Sequence, residues 1–205
     1  ALTLLALGEN RGIGAAQNAG IALARERGSR YVLLLDHDSI PEAGMVATLR
    51  AAIENQPASS TPVAAAGPRY ADARQTTNPS PFVQLEGFKR VRCECRHAGQ
   101  LIEVEHLIAS GSLIPMAVLE AVGDMDERLF IDYVDIEWCL RAAHAGYRML
   151  GVCDARMQHE LGDTPIRFMG KHLPDHSPLR HYYLFRNALL LQRMPHIGWR
   201  WKVVD

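Results

Sequence analysis

The sequence predicts an α/β fold in which a mostly parallel β-sheet is flanked by helices. Residues 31–35 form a continuous apolar run, which is typical of a strand covered on both faces. A helical pattern separates this run from an earlier one at 2–7, and that order implies a parallel, right-handed crossover. A third run, at 63–68, predicts another buried strand. With 205 residues, 48% of them apolar, the chain has enough material for one domain with a true core.

The helices follow from apolar residues at helical spacing and from the residues that end them. The first is expected from Ile13 to Gly28, and the second begins after Ser39 and ends before Pro57. Later segments predict helices at about 115–122, 136–145 and 177–194 and a short strand at 147–153. Residues 70–82 predict an irregular surface loop, and residues 83–95 and 101–108 predict a small antiparallel pair.

Composition excludes some classes of protein. The chain has 22 basic and 23 acidic residues, so it lacks the charge excess expected of a nucleic-acid-binding protein. No apolar run is long enough for a membrane-spanning helix, and we expect no signal peptide. The four cysteines (Cys93, Cys95, Cys139 and Cys153) suggest no disulfide framework, which favours a reducing, cytoplasmic location.

Two aspartates follow the central apolar run. Asp36 and Asp38 come at the expected end of strand 31–35, and α/β sheets bind ligands at the carboxyl ends of their strands. Two adjacent carboxylates repel each other unless a cation lies between them, and Mg²⁺ or Mn²⁺ shared with substrate phosphates fits that requirement. The alternative is a turn in which Asp38 or Ser39 caps the following helix, since Ser39 to Glu42 fits a capping box.

A second group of acids surrounds a predicted helix start. Asp132, Asp135 and Glu137 lie within six residues, and Asp135 falls just before an apolar-periodic segment. Helix capping alone explains one aspartate here. Three acids exceed what capping needs, and a carboxylate fixed at a helix start is a well-oriented general base.

Two further features are ambiguous on residue type alone. His159 follows the strand predicted at 147–153, but most single histidines in proteins bind nothing. The glycine-rich stretch Asn10 to Gly20 precedes a helix and permits close approach of a phosphate. It lacks the full dinucleotide fingerprint, and close helix–sheet packing explains its glycines equally well.

In their order along the chain these motifs resemble the family 2 glycosyltransferases with a GT-A fold, and among them the bacterial rhamnosyltransferases. The resemblance covers nearly the whole chain. It is carried by the following segments: Asn10-x-Gly12, Asn18-x-Gly20, residues 33–41, Gly111-Ser112, residues 130–138, Arg141, Gly146-Tyr147, residues 159–163, and the tail Arg180-x-Tyr182-Tyr183-x-x-Arg186-Asn187.

The resemblance implies an inverting transfer of a sugar from a nucleotide diphosphate donor to an acceptor hydroxyl, with Mg²⁺ or Mn²⁺ as cofactor. Asp38 is then the principal metal ligand and Asp36 contacts the donor or the metal. Asp135 aligns with the catalytic base, and His159 with a histidine that completes the metal site in some relatives. The remaining donor-binding residues implied by the resemblance are Asn10, Gly12 and Glu137.

The resemblance also implies partners and boundaries. Rhamnose from dTDP-rhamnose is the expected donor sugar, and a cell-surface glycan or lipid-linked glycan is the expected acceptor. Tyr182, Tyr183, Arg180 and Arg186 suggest peripheral contact with the inner face of a membrane, although such residues often only pack and snorkel. Residues 1–205 are expected to form one GT-A domain that lacks the family's first nucleotide-binding strand and its C-terminal extension, as a piece of a longer protein.

Two other functions stay open from the sequence. A haloacid-dehalogenase-type phosphatase also places two acids after an apolar strand, with Asp36 as nucleophile and Asp38 as acid/base. A sugar-nucleotide-binding module without turnover would keep the fold and the metal-binding acids. Retention of Asp135 argues against the second, because binding a donor needs no general base.

Overall fold

The computed structural model describes residues 2–72, 82–159, 166–168, 171–173 and 177–205. Within these residues the helices are α1 (Ile13–Glu26), α2 (Met45–Glu54), α3 (Met116–Val122), α4 (Val134–His144), α5 (Pro178–Arg193) and α6 (Trp199–Val204). The strands are β1 (Tyr31–Leu33), β2 (Ser39–Pro41), β3 (Val63–Ala71), β4 (Val83–Glu86), β5 (Lys89–Arg92), β6 (Leu101–Val104), β7 (Leu113–Pro115), β8 (Arg148–His159), β9 (Ile166–Phe168) and β10 (Lys171–Leu173).

Six strands form the central sheet in the order β1-β7-β3-β8-β2, with β6 also paired to β8. β3 and β8 are parallel, and β7 runs antiparallel to both β1 and β3. The strands β1, β3 and β8 therefore share one direction, while β2 and β6 run against β8. Helices flank this sheet, and two small antiparallel pairs lie outside it. The α/β fold class is confirmed.

The sheet separates two apolar cores. Alternate residues of a strand point to opposite faces, and Met149 and Leu150 belong to different clusters accordingly. One cluster contains the buried face of α2, including Leu49. The other contains Trp138 of α4 and Leu191 of α5. Helix α2 thus covers one face of the sheet, and α4 and α5 cover the other.

Several expected elements are confirmed and others are wrong. The helices expected at 13–28, 115–122, 136–145 and 177–194 are present within a few residues, and the strand expected at 147–153 continues to His159. Residues 2–7 form no strand, and Leu2 and Leu4 are largely exposed. An apolar run becomes a strand only where a neighbour completes its hydrogen bonds, and none of the described strands pairs with these residues.

The region around the first aspartates also differs from expectation. Ser39–Pro41 forms β2, and α2 begins only at Met45 after a left-handed Gly44, so Ser39 does not cap it. The expected pairing of 83–95 with 101–108 is wrong, because β4 pairs with β5 and β6 pairs with β8. Most of the loop expected at 70–82, namely 73–81, lies outside the described residues, as do residues 160–163 of the resemblance.

The cysteine interpretation is corrected as well. Cys95 and Cys153, 58 residues apart, form a disulfide, whereas Cys93 and Cys139 are free. The spacing of the cysteines in the sequence does not predict this disulfide. The two sulfurs meet because β8 lies beside the segment that follows β5. None of the helices in the described part of the chain is long and apolar enough to cross a membrane.

Candidate functional site

The two aspartates and the histidine predicted from the sequence come together at the carboxyl ends of β1 and β8. Asp36 and Asp38 follow β1, and His159 ends β8. In the antiparallel pair of β2 with β8, Ser39 lies directly opposite His159. Asp38, the residue before Ser39, therefore lies close to the His159 ring. One ligand atom from each of Asp36, Asp38 and His159 lies within 4.8 Å of the others. Oδ1 of Asp38 is 3.2 Å from Nδ1 of His159.

The chemistry of this group suits a divalent cation. Carboxylate oxygens are ligands for Mg²⁺ and Mn²⁺, and the imidazole shifts the preference toward a transition metal such as Mn²⁺. Within the described residues neither Asp36 nor Asp38 pairs with a lysine or arginine, and the basic group that lies beside Asp38 is the His159 imidazole. The residues therefore fit a metal.

Two serines hold the histidine and the first aspartate, and the sequence analysis missed this role. Oγ of Ser39 lies 2.8 Å from Nδ1 of His159 and 2.6 Å from Oγ of Ser110. The Ser110 hydroxyl also accepts a hydrogen bond from the backbone N–H of Asp36, at 3.1 Å. Both serines and His159 are buried. The nearest sequence signal is the neighbouring pair Gly111-Ser112, which does not include Ser110.

Asp135 lies in the first turn of α4 and is not its N-cap, since the helix begins at Val134 after Tyr133. Its Oδ2 accepts the backbone N–H of Ala109 at 3.1 Å, and its Oδ1 accepts that of Ile136 at 2.9 Å. Burial raises the pKa of the Asp135 carboxyl, and the two backbone donors and His106 lower it by a smaller amount. The carboxylate is thus fixed in orientation and more basic than an exposed aspartate.

One cleft of about 470 Å³ joins these groups. Asp36, His159 and Asp135 line it, and so do Asp132 and Arg180. A divalent cation at the strand ends and a general base at the helix start would thus face the same volume.

The segment before α4 is strained. Phe130, Asp132 and Tyr133 all have positive φ, between 61° and 63°, which costs roughly 1–3 kcal/mol for each such residue. Helix α5 holds this segment in two places. The buried amide of Asn187 donates to the carbonyls of Leu129, Ile131 and Asp132 at 2.8, 2.9 and 3.1 Å.

The second place is an ion pair: the guanidinium of Arg180 binds the Asp132 carboxylate, with its closest contact at 2.9 Å. Asp132 therefore lines the cleft with its negative charge already neutralised by α5. The role of Asn187 and Arg180 as fixed partners of this segment was not apparent from the sequence, where both appeared only as parts of the tail motif.

Asn10 and Gly12 lie next to the same segment. The backbone N–H of Gly12 donates to Oδ1 of Asn10 at 3.1 Å, which forms a local turn. Gly12 has φ +85°, and a Cβ there would lie 2.5 Å from the Phe130 carbonyl oxygen. Gly12 is therefore required for close packing against residue 130, and neither residue lines the cleft.

Glu137 occupies a different environment. Its side chain is 1% exposed and pairs with Arg141 at 2.9 Å and His196 at 2.8 Å. Arg141 also donates to the carbonyls of Val122 and Asp124, so this acid anchors α4 to the end of α3. Glu137 does not line the cleft. Its expected contact with the donor stays a prediction, and its buried position beside Arg141 and His196 argues against that contact.

Comparison with known proteins identifies the family and the fold of the chain. The chain is 35% identical over 195 residues to a dTDP-rhamnosyl transferase, RfbF, of Shigella flexneri, covering 95% of this chain and 64% of that protein. Its fold matches a crystal structure of GalNAc-T7 with UDP, GalNAc and Mn²⁺ at a TM-score of 0.58, with 14% identity, over 92% of this chain and 39% of the other. That similarity shows a GT-A fold.

The family model for glycosyl transferase family 2 matches residues 2–111, more than half of the 205 residues. This match includes the acid pair and Ser110, and the similarity to RfbF extends through Asp135 and α5. The chain belongs to glycosyl transferase family 2.

Proposed function

We propose that this chain is a metal-dependent, inverting glycosyltransferase that moves rhamnose from dTDP-rhamnose to a hydroxyl of a cell-surface or lipid-linked glycan. The observation that carries the proposal is the single cleft shared by Asp36, His159 and Asp135. The similarity to a dTDP-rhamnosyl transferase supports the choice of donor.

The donor end of the cleft is the group formed by Asp36, Asp38 and His159. These residues would hold Mg²⁺ or Mn²⁺, and a bound divalent cation neutralises charge on a diphosphate leaving group. Ser39 and Ser110 keep the histidine ring and the backbone of Asp36 in place by hydrogen bonds. Asn10 and Gly12 are proposed as donor contacts on the resemblance alone, since their positions beside the cleft neither require nor prevent it.

The acceptor end is Asp135. A base at this position takes the proton from the attacking hydroxyl as the new glycosidic bond forms. The N–H groups of Ala109 and Ile136 hold its two oxygens in fixed directions, and burial makes it a stronger base than an exposed aspartate. Attack from the face opposite the leaving diphosphate in one displacement inverts the configuration at the sugar carbon.

The rival functions are weaker. Membership of glycosyl transferase family 2 removes the basis for a haloacid-dehalogenase-type phosphatase, because that proposal depended on the same acid pair. A binding module without turnover is distinguished by experiment, because it would bind a donor nucleotide and form no product.

The first test is calorimetric titration of the chain with dTDP, UDP and GDP, each with and without Mn²⁺. We expect binding of dTDP that depends on Mn²⁺, and Asp38→Ala should weaken it more than about tenfold by removing a ligand. Glu42→Ala, an exposed carboxylate four residues away, is the matched control and should change nothing. If dTDP bound equally well without metal, or if Asp38→Ala bound it normally, the metal assignment would be wrong.

The second test is product formation from dTDP-rhamnose, UDP-glucose and GDP-mannose, with the anomeric configuration of the product determined by NMR. Inversion with dTDP-rhamnose as the preferred donor is expected. A retained configuration would contradict the proposed mechanism, and donor binding without any transfer would favour the binding-module alternative.

A further inference from the structure

The outer face of α5 carries large apolar side chains in water. Phe185 is 73% exposed, Leu189 67% and Tyr182 59%. These three residues share one side of the helix, opposite the buried Asn187 and Leu191. We call Tyr182, Phe185 and Leu189 the α5 stripe. Contiguous exposed apolar residues of this size usually mark a surface that is covered in the working protein.

The neighbouring helix α6 also carries large exposed apolar side chains. Trp199 and Val203 are 63% and 67% exposed, and the side chain of Gln192 in α5 donates to the carbonyl of Lys202, which ties the two helices together. Trp199 also contacts Phe88 of the β4–β5 hairpin, with ring centroids 5.5 Å apart. Aromatic rings with a polar edge are characteristic of the zone between water and hydrocarbon.

The charge of this region differs from that of the whole protein. The chain as a whole has a net charge of −1, whereas residues 177–204 contain no aspartate or glutamate. Their basic residues are Arg180, Arg186, Arg193, Arg200 and Lys202. Arg180 is bound to Asp132, but neither Arg193 nor Arg200 forms an ion pair with any residue the structure describes. The exposed positive charge beside an apolar stripe matches an anionic surface.

We propose that the outer faces of α5 and α6 dock flat on an anionic lipid bilayer. The α5 stripe and Trp199 enter the interface, and Arg193 and Arg200 bind lipid phosphates. A second copy of the chain fits this face less well, because a symmetric contact would bring arginines together with no acid in 177–204 to pair with them.

The structure also corrects which residues make this surface. Of the four tail residues suggested by the sequence, Arg180 pairs with Asp132 and Arg186 donates to the Arg128 carbonyl. The ring of Tyr183 stacks on Phe130 at 4.7 Å. Only Tyr182 belongs to the exposed stripe.

Docking in this orientation has a consequence for the acceptor. The inner side of α5 supplies Arg180 and Leu184 to the wall of the cleft, while its outer side carries the α5 stripe. The cleft therefore lies one helix away from the bilayer. This consequence rests on the proposed function: the acceptor would be a lipid-linked glycan presented at the membrane surface.

Flotation with large unilamellar vesicles tests the docking without any assay of transfer. The chain should float with vesicles of phosphatidylcholine and phosphatidylglycerol, and less with phosphatidylcholine alone or at high salt. Phe185→Glu and Leu189→Glu should each reduce the partition coefficient at least about tenfold, because each removes a buried apolar side chain. Val46→Glu is the matched control: Val46 is an exposed apolar residue of α2, on the other face of the sheet, and its replacement should not affect binding.

Thermal unfolding of each variant confirms that the exposed substitutions leave the fold intact. Failure of the chain to bind anionic vesicles, or an equal loss in Val46→Glu, would overturn the proposal. A dimer that Phe185→Glu dissociates, seen by sedimentation without vesicle binding, would assign the face to a second copy instead and would equally overturn it. Because flotation needs no donor or acceptor, its failure is distinct from failure of the transferase proposal.

Discussion

Ser39 and His159, 120 residues apart in the chain, face each other across the β2–β8 pair with Oγ 2.8 Å from Nδ1. The Ser39 hydroxyl also forms a hydrogen bond with the Ser110 hydroxyl, which in turn accepts one from the backbone N–H of Asp36. A continuous hydrogen-bonded path thus joins the His159 ring to the backbone of Asp36 through two serines. Such partners orient metal ligands, and their removal typically costs 10- to 100-fold in metal affinity.

We therefore predict that Ser110→Ala weakens Mn²⁺ binding about tenfold or more, measured by titration calorimetry, and that the lost buried hydrogen bonds also cost about 1–3 kcal/mol in the free energy of unfolding. Ser112→Ala is the control, because Ser112 is also buried but donates to the Ile108 carbonyl, outside this path. Equal losses of Mn²⁺ affinity in the two variants would show that any buried serine matters here, and would contradict a specific role for Ser110.

The second prediction concerns Asp135 as the base. Asp135→Asn keeps the size of the side chain and removes its ability to accept a proton, so turnover should fall about 10²- to 10⁴-fold. Donor affinity should stay close to that of the wild type. The pH profile of the wild type should show an acid limb above the usual aspartate range, about 3.9, because burial raises the pKa of Asp135. A parallel loss of donor affinity and turnover would contradict the assignment.

The same substitution should also change how stability depends on pH. At every pH it costs a constant amount, because the amide of Asn has one acceptor oxygen for the two backbone N–H groups, of Ala109 and Ile136, that Asp135 now accepts. A raised folded-state pKa means that the folded protein binds the Asp135 proton more tightly than the unfolded chain does. The free energy of unfolding of the wild type therefore falls relative to Asp135→Asn as pH rises from about 3.9 through the raised pKa. Urea unfolding of both proteins at several pH values measures this trend, and a trend in the opposite direction would show that folding lowers the pKa of the Asp135 carboxyl.

The disulfide gives the third prediction. Closing a loop of 58 residues restricts the unfolded chain, and loop-closure entropy puts the gain at about 4 kcal/mol. Replacing both Cys95 and Cys153 by serine should lower the free energy of unfolding by about that amount, measured by urea unfolding. Cys93→Ser is the control, because Cys93 is a free, partly buried thiol two residues from the bridge. A double variant as stable as the wild type would mean that the bridge constrains nothing.

The site residues that could be predicted from the sequence are those whose role follows from the few residues around them. Asp36 and Asp38 follow their own apolar strand, and Asp135 precedes its own helical pattern, so short windows sufficed to find them. Residues 2–7 carry the same kind of local signal, but no described strand completes their hydrogen bonds. An apolar run shows that a segment gains free energy by burial. Whether it becomes a strand depends on whether another strand of the fold lies beside it and completes its hydrogen bonds.

Contacts between distant segments left no such trace. Ser110 approaches Asp36 because β7 pairs with β1, and Cys95 reaches Cys153 because β6 and the segment before it lie along β8. Glu137 shows the opposite error. Its position two residues after Asp135 suggested the site, but residues two apart in a helix point in different directions, and Glu137 contacts Arg141 and His196 in the interior. Motif order located the site, and pairing of distant strands determined which residues complete it.

The last prediction concerns Asn187, whose amide supports the strained segment before Asp135. The side chain is fully buried and donates to three carbonyls between Leu129 and Asp132, where Asp132 itself has φ 61°. Asn187→Ala leaves these acceptors without their donor, which should cost about 1–3 kcal/mol in the free energy of unfolding.

Because the same segment leads into the first turn of α4, Asn187→Ala should also lower kcat more than it raises KM for the donor, by displacing Asp135 relative to the metal-ligand group. Gln192→Ala is the matched control: it removes an amide of the same helix that donates to the Lys202 carbonyl and not to residues 129–132. A variant at Asn187 that lost stability but kept the kcat of the wild type would restrict the residue to holding α5 in place, because the strained segment would then be shaped without it.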